Sequence, residues 1–400
     1  MSDNKIGSEM LCDVWTSAPI ARIGDVLGVL SDAVAAGGAT LLDMLVKQFE
    51  PEGVSVVAII GESHVAIHTW PELKFLSVEA FTCSSNVDLD AMRRVIVAAF
   101  DPIRIDTRLL DRGADGPPGV PINRFSEREP GSPGVRSYEV SRMIERRRSE
   151  FQDIVVFESP GLGRVLAIDN IVQVADVDAY VYHELLVHPA MCNHPNPRNV
   201  AIVGGGDGYA VAEVLKHDVE QVTVLDLDEA VVDLSRLAFP AAAAFDDPRV
   251  TLRFGDAYET LPGLGPVDVI LCDMTDPIGQ AGRFFEDGFL ERAAAALGDD
   301  GVLAQQSESV HFHPATVRRM RALAPKHFTY SATVGGPMAT YPGAWWTFTV
   351  AGNGRDPRVA ARQPALDTRL YDPASHDWFF VPDRVLDRVL ARSQAQLPAS

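Results

Sequence analysis

The stretch ESHVAIHTWPE, Glu62 to Glu72, places a serine, two histidines and two glutamates in an otherwise apolar, strand-like segment. In an extended strand His64, Ala66 and His68 share one face and Ser63, Val65 and Ile67 the other, so Ser63 and His68 meet only where the chain bends or breaks at Ser63. A second cluster of chemistry is CDMTDP, where Asp273 and Asp276 stand three residues apart. Two carboxylates so close repel unless a cation sits beside them. A primary amine meets that need: one aspartate accepts its proton and the other holds it in line for attack. The ordinary alternative is a pair of solvated loop aspartates capping the next turn. A third feature is the loop Gly204, Gly205, Gly206, Asp207, Gly208, whose glycines let a ligand approach the backbone, followed about 20 residues later by Asp226, an acceptor for ribose hydroxyls. The spacing is not GxGxxG, which favours a nucleoside such as an S-adenosyl compound over a dinucleotide.

These residues need elements to hold them. Helical spacing covers Gly24–Ala36 and Leu89–Phe100, and strands are expected at Thr40–Phe49, Val54–Ile60, Leu76–Phe81 and Ile103–Leu110. That alternation describes a two-layer α/β sandwich over residues 1–112. Residues 113–135, dense in Gly, Pro and Ser, read as a linker. Residues 136–400 form the second domain. Short strands near Gln152–Phe157 and Arg164–Ala167 make a small β-rich subdomain, and a helix near Tyr180–Met191 follows. Then NVAIVGGGDGYAVAEVLKH, VTVLDLDEAVVDLSRL, VTLRFGDAYETL and VDVILCDMTDP repeat strand, turn and helix, the pattern of a Rossmann-like, doubly wound parallel sheet whose ligands sit at the carboxyl ends of the strands. The fold class is α/β in both domains.

The 400 residues exceed what one core usually organises, in agreement with two domains. Four cysteines, Cys12, Cys83, Cys192 and Cys272, form no CxxC pair, which argues against a disulfide framework or a zinc site and fits a reducing cytoplasm. The start MSDNKIGSEM has no apolar signal core, and no apolar run is long enough for a membrane span. A formal charge of −20 opposes nucleic acid and anionic lipid and steers in small cations, polyamines among them, although acidity also serves plain solubility.

From Phe151 to Gly352 the chain resembles the spermidine synthase family of aminopropyltransferases. The likeness rests on FQDIVVFES, GRVLAIDNIVQVADVDAYVYHELLVHPA, NPRNVAIVGGGDGYAVAEVLKH, GDAYETL, CDMTDP, AQQSES and YPGAWWTF, all in family order. The resemblance implies Asp273 as general base on the attacking amine, Asp276, Tyr341 and Tyr182 as the amine cradle, and Gln152, His183, Asp207, Asp226 and Asp256 as the holders of decarboxylated S-adenosylmethionine. The implied reaction displaces the carbon beside a sulfonium, moves an aminopropyl group to a diamine and requires no metal. This chain departs from the family at Tyr209, in place of the second glycine of DGG, at Asp226, in place of a glutamate, and at Ala179. Asp226 shortens the reach to the ribose, and a tyrosine at 209 is expected to narrow the pocket.

Such a chain needs a source of its donor, and ESHVAIHTWPE with FTC resembles the prokaryotic S-adenosylmethionine decarboxylase family over about Gly7 to Leu110. Decarboxylation leaves a carbanion, and a protein without pyridoxal phosphate can delocalise it on a pyruvoyl group made from a serine. By this likeness the Glu62–Ser63 bond is cut autocatalytically and Ser63 becomes the pyruvoyl cofactor, which forms a Schiff base with the substrate. Ser55 and His68 assist the cut, and Cys83 protonates the decarboxylated carbon, a role suited to a lone thiol. Here Glu9 stands where the family usually has a histidine, and Ser84 where glycine commonly follows the cysteine. An added carboxylate could hold the distal cation of a diamino acid.

The leading expectation is therefore a fusion that decarboxylates S-adenosylmethionine and makes spermidine from putrescine, without nucleic-acid or membrane partners and as a homo-oligomer. The alternative makes the first domain an ornithine or arginine decarboxylase, and a third reading is a polyamine-binding regulatory protein.

Overall fold

A computed structural model of the chain describes residues 6–113, 123–128, 134–341 and 343–393. The chain divides into two compact units, Met1–Ile122 and Asn123–Ser400. In the first, β1 (Gly7–Thr16), α1 (Ile23–Ala36), β2 (Leu41–Gln48), β3 (Val54–Ile60), β4 (Ser63–Trp70), β5 (Phe75–Thr82), α2 (Leu89–Ala99) and β6 (Pro102–Arg112) follow in order. All neighbours in the six-stranded sheet β2-β3-β4-β5-β1-β6 are antiparallel. Alternate strand residues, Met10, Cys12 and Val14 of β1, Val56 and Ala58 of β3, Val65 and Ile67 of β4 and Val78 and Ala80 of β5, pack under Val26, Leu30 and Val34 of α1 and Met92 and Ile96 of α2. The helices cover one face only, which leaves the other for His64, His68 and their neighbours.

In the second unit β7 (Asn123–Glu127) and β8 (Arg136–Val140) pair antiparallel. β9 (Arg142–Arg148), β10 (Asp153–Ser159), β11 (Gly163–Ile168) and β12 (Ile171–Ala175) form a four-stranded antiparallel sheet. After α3 (Ala179–Asn193) come β13 (Asn199–Gly204), α4 (Tyr209–Val214), β14 (Gln221–Asp226), α5 (Glu229–Ala238), β15 (Val250–Phe254), α6 (Ala257–Thr260), β16 (Val267–Asp273), α7 (Asp287–Ala296), β17 (Leu297–Ser309), α8 (Pro314–His327), β18 (Tyr330–Pro337), β19 (Trp345–Gly352) and α9 (Asp383–Ser393). The sheet runs β15-β14-β13-β16-β17-β19-β18, parallel from β15 to β17 and antiparallel beyond. Strand order reverses between β13 and β16, and a crevice opens at their carboxyl ends.

The predicted linker 113–135 is corrected at one place. Asn123–Glu127 is a strand of the second unit, and residues 114–122 and 129–133 lie outside the described residues. The strand escapes a sequence reading because one of its inward residues is an acid: Glu127 is buried, salt-bridged to Arg136 at 2.6 Å and bonded to the Val172 amide at 2.7 Å.

Candidate functional site

Each unit concentrates its predicted residues at one place. In the first, Gly61 and Glu62 make the turn between β3 and β4, and Ser63 opens β4 with φ of 145°, a conformation L side chains rarely adopt. The register sets Ser63 opposite Thr82, so the residue after β5, Cys83, reaches the turn. The Cys83 amide donates to the Glu62 carbonyl at 3.0 Å and its Sγ lies 3.2 Å from the same oxygen. The carbonyl that a Ser63 hydroxyl would attack is thus already held by two donors, the arrangement that stabilises an oxyanion. The Glu62 carboxylate accepts from the Thr40 amide at 3.0 Å, which fixes the turn.

Ser63 Oγ lies 3.2 Å from His64 Nδ1, and His64 Nε2 is 3.7 Å from Glu79. His68 instead pairs with Ser55, Nδ1 to Oγ 2.7 Å, directly across the β3–β4 ladder. Five residues of strand separate His68 from Ser63, about 16 Å at ~3.3 Å per residue. Within one chain the structure therefore brings Glu62, Ser63 and Cys83 together and leaves Ser55 and His68 at the far end of the hairpin. His64 is the neighbour that sequence reasoning passed over. Glu9 is buried and pairs with Arg112, so its carboxylate is not left to receive a substrate cation.

In the second unit a cavity of about 190 Å³ lies at the ends of β13, β14 and β16. Gln152, Tyr182, His183, Asp207, Asp226, Asp256, Asp273, Asp276 and Tyr341, all expected from sequence, line it together with Gln306 and Trp346, which were not. Close strand approach demands the glycines. A Cβ on Gly204, where φ is +79°, would fall 1.9 Å from the Asp273 carbonyl oxygen, and one on Gly206 would meet Asp226 Oδ2 at 2.7 Å.

His183 sits in the first turn of α3 with Nδ1 donating to the Ala179 carbonyl at 2.6 Å, which turns Nε2 toward Asp207 Oδ2 and Asp273 Oδ2, 3.4 Å from each. Burial works against charge on His183, and the two carboxylates overcome it, raising its pKa well above the usual value. Burial likewise raises the Asp273 carboxyl, with His183 pulling it back. Asp273 Oδ2 and His183 Nε2 have no hydrogen-bond partner of good geometry, which leaves acceptor capacity facing the cavity. These three side chains could also gather round a metal ion, their ligand atoms lying within 4.8 Å of one another. A metal there would need His183 neutral at Nε2, whereas a cationic amine would take its acceptors from the two carboxylates.

Backbone turns also fix the other acids that line the cavity. Asp226 Oδ1 accepts from the Asp228 amide at 3.0 Å, and burial pushes its carboxyl up to about 6. Gln152 reaches in by donating to Asp228 at 3.0 Å. Asp256 accepts from the Tyr258 amide at 3.0 Å and from Arg283 at 2.5 Å. Asp178 accepts from the Thr340 amide at 2.7 Å, tying the start of α3 to the loop carrying Tyr341, whose hydroxyl donates to the Gln173 carbonyl. Tyr182 and Tyr341 meet edge-on at 5.7 Å, walling the cavity beside Asp273. Tyr209 does not line the cavity, contrary to the expected narrowing, because its ring turns behind His183.

Residues 9–113 match the profile for S-adenosylmethionine decarboxylase, 125–176 that for the spermidine synthase tetramerisation domain, and 179–360 that for the spermine/spermidine synthase domain. Polyamine aminopropyltransferase 1 of Aquifex aeolicus (strain VF5) is 36% identical over 269 residues, 66% of this chain and 96% of that protein. The polyamine aminopropyltransferase of Hydrogenobaculum sp. (strain Y04AAS1) is 35% identical over 269 residues, with the same 66% and 96% coverage. Among solved structures, spermidine synthase from Thermotoga maritima aligns with a TM-score of 0.63 at 30% identity, over 68% of this chain and 94% of that one. A spermidine synthase in complex with the transition-state analogue AdoDATO aligns with a TM-score of 0.64 at 31% identity, over 71% and 99%. The match over residues 9–113 does not favour an ornithine or arginine decarboxylase. The crevice at the strand ends and the agreement across these comparisons lead to one conclusion: the chain belongs to the spermine/spermidine synthase family of polyamine aminopropyltransferases and carries an S-adenosylmethionine decarboxylase domain ahead of it.

Proposed function

We propose that this chain makes its own aminopropyl donor and then uses it. The first unit decarboxylates S-adenosylmethionine, and the second transfers the aminopropyl group to putrescine, giving spermidine and methylthioadenosine. The observation that carries the reading is the convergence of Asp207, Asp273 and His183 on one cavity that also holds Asp226 and Asp256 at its nucleoside end.

Self-processing follows from the turn at Glu62. Ser63 Oγ adds to the Glu62 carbonyl carbon while the Cys83 N–H and S–H hold the oxygen, and the C–N bond breaks to leave an ester. Loss of the Ser63 α-proton breaks the Cβ–O bond and expels Glu62 as a new main-chain carboxylate, and water then converts the resulting enamine to a keto group with release of ammonia. The strained φ of Ser63 and the two donors on the preceding carbonyl fit a pyruvoyl group derived from Ser63. Once formed, that group supplies an electron sink for carbon dioxide loss. Cys83 is placed to return a proton to the substrate carbon. Ser55 and His68 stand too far along their own hairpin to reach the Ser63 of the same chain, so assistance from them requires the Ser63 of another copy. Coexpressing Ser63→Ala chains with His68→Gln chains is expected to restore cleavage of the latter; persistence of full-length His68→Gln chains on a denaturing mass spectrum would refute action between copies.

In the second unit the acceptor amine sits between Asp273, Asp276, Tyr182 and Tyr341. Its nitrogen attacks the methylene carbon beside the sulfonium, the C–S electron pair goes to sulfur, and the amine proton goes to Asp273. Gln152, His183, Asp207, Asp226 and Asp256 hold the donor. The test is carbon dioxide release by the purified chain given S-adenosylmethionine, ornithine and arginine separately, with amine products identified by mass. Release from S-adenosylmethionine, and spermidine on adding putrescine, is the expected result. Release from ornithine or arginine alone would overturn the assignment of the first unit.

A further inference from the structure

We propose that Tyr209, where the family carries a glycine, is a positioning residue that holds the His183 imidazole between Asp207 and Asp273; the inference rests on the transferase reading above. The Tyr209 ring stacks on His183, centroids 5.2 Å apart and planes 23° from parallel. On its other side it meets Phe239 edge-on at 5.8 Å. Its hydroxyl donates to Asp176 Oδ1 at 2.9 Å, and Asp176 Oδ2 is in turn clamped by Arg164, whose Nε lies at 2.7 Å and backbone amide at 2.9 Å. Arg164 also donates to the Ala238 carbonyl at 2.7 Å. The tyrosine is therefore tied to the end of β12 and, through Arg164 of β11, to the end of α5.

Beyond this stack, the His183 ring is bonded from Nδ1 to the Ala179 carbonyl and meets the Tyr182 ring edge-on at 4.9 Å. Neither contact lies flat against the ring, and a flat surface behind it helps to keep Nε2 at its 3.4 Å from both carboxylates. A glycine at 209 supplies no such surface. The tyrosine does, and its electron-rich face also suits a cationic imidazole. Since Tyr209 stays out of the cavity, its influence on the reaction runs through His183, the group that neutralises part of the charge around the base Asp273.

The test uses the full chain with Tyr209→Ala, Tyr209→Phe, His183→Gln and the Tyr209→Ala/His183→Gln pair, assayed with decarboxylated donor and putrescine. Tyr209→Ala is expected to lower kcat/KM for the donor about tenfold, because a His183 out of place both loosens the donor and compensates Asp273 less well. Tyr209→Phe, which keeps the stacking, is expected to retain most of the activity. In the His183→Gln background Tyr209→Ala should add less than about twofold, because the two residues act as a unit. An equal loss in both backgrounds would overturn the proposal. The same variants labelled with 15N-histidine separate this proposal from the functional reading: the Tyr209→Ala chain must shift the His183 resonances even where no transfer is detected. Unchanged His183 resonances would also overturn it.

Discussion

Asp273 is asked to be both buried and basic. Burial raises its pKa, which makes the ionised form a better proton acceptor but delays ionisation as pH rises. Replacing it with asparagine keeps the shape and removes the acceptor, so Asp273→Asn should lower the transfer kcat by about 10²–10⁴-fold while donor binding persists. Retention of more than about a tenth of the wild-type kcat would remove Asp273 from the role of base. Asp226 makes a separate statement about binding. Its carboxyl is pushed up to about 6, so below that pH it is protonated and loses acceptor capacity for ribose hydroxyls. Calorimetric affinity for methylthioadenosine should therefore weaken as pH falls below about 6, approaching tenfold per unit, and the Asp226→Asn variant should be weaker and nearly flat over the same range. A wild-type affinity constant from pH 5 to 7 would mean that Asp226 does not bind the nucleoside in its ionised form.

The helix α3 presents Tyr182 and His183 to the cavity and uses the next residue to anchor itself. Glu184, fully buried, accepts the amides of Arg369 at 2.8 Å, Leu370 at 2.7 Å and Tyr371 at 2.7 Å. Glu184→Ala removes the acceptor of one buried and two partly buried N–H bonds, so destabilisation of about 2 kcal/mol is expected. Urea denaturation with hydrogen exchange at 369–371 measures it; protection unchanged there would show that the loop is held otherwise. The same element shows what sequence could and could not reveal. The parallel strands were legible because β13, β14 and β16 are continuous apolar runs ending in glycine or aspartate, and that ending also located the cavity residues. β1 was not, since Ser8, Glu9 and Asp13 interrupt the Met10, Cys12, Val14 alternation that buries it between β5 and β6. Periodicity also carries no information on twist. The positive φ at Ser63, which turns its hydroxyl to His64 rather than away from it, follows from the antiparallel register and a two-residue turn, neither of which a single strand pattern encodes.

Joining the two activities in one chain raises the question of whether the donor must pass within that chain. Both substrates are cations and the chain carries a formal charge of −20, so each unit can draw the intermediate from solution by steering alone. Among the described residues no helix is long and apolar enough to cross a membrane. Joining the units raises the local concentration of the donor, but a small free molecule diffuses away faster than it is consumed at ordinary turnover. Ser63→Ala chains, unable to make donor, mixed after purification with Asp273→Asn chains, unable to transfer, should thus form spermidine from S-adenosylmethionine and putrescine. After a lag in which free donor accumulates, the steady rate should lie within about twofold of wild type at equal site concentration. Free decarboxylated donor should be detectable by mass during the lag. If the mixture makes donor but no spermidine, while the Ser63→Ala chain still transfers from added donor, the intermediate is handed over only inside one chain, and the fusion does more than keep consecutive steps together.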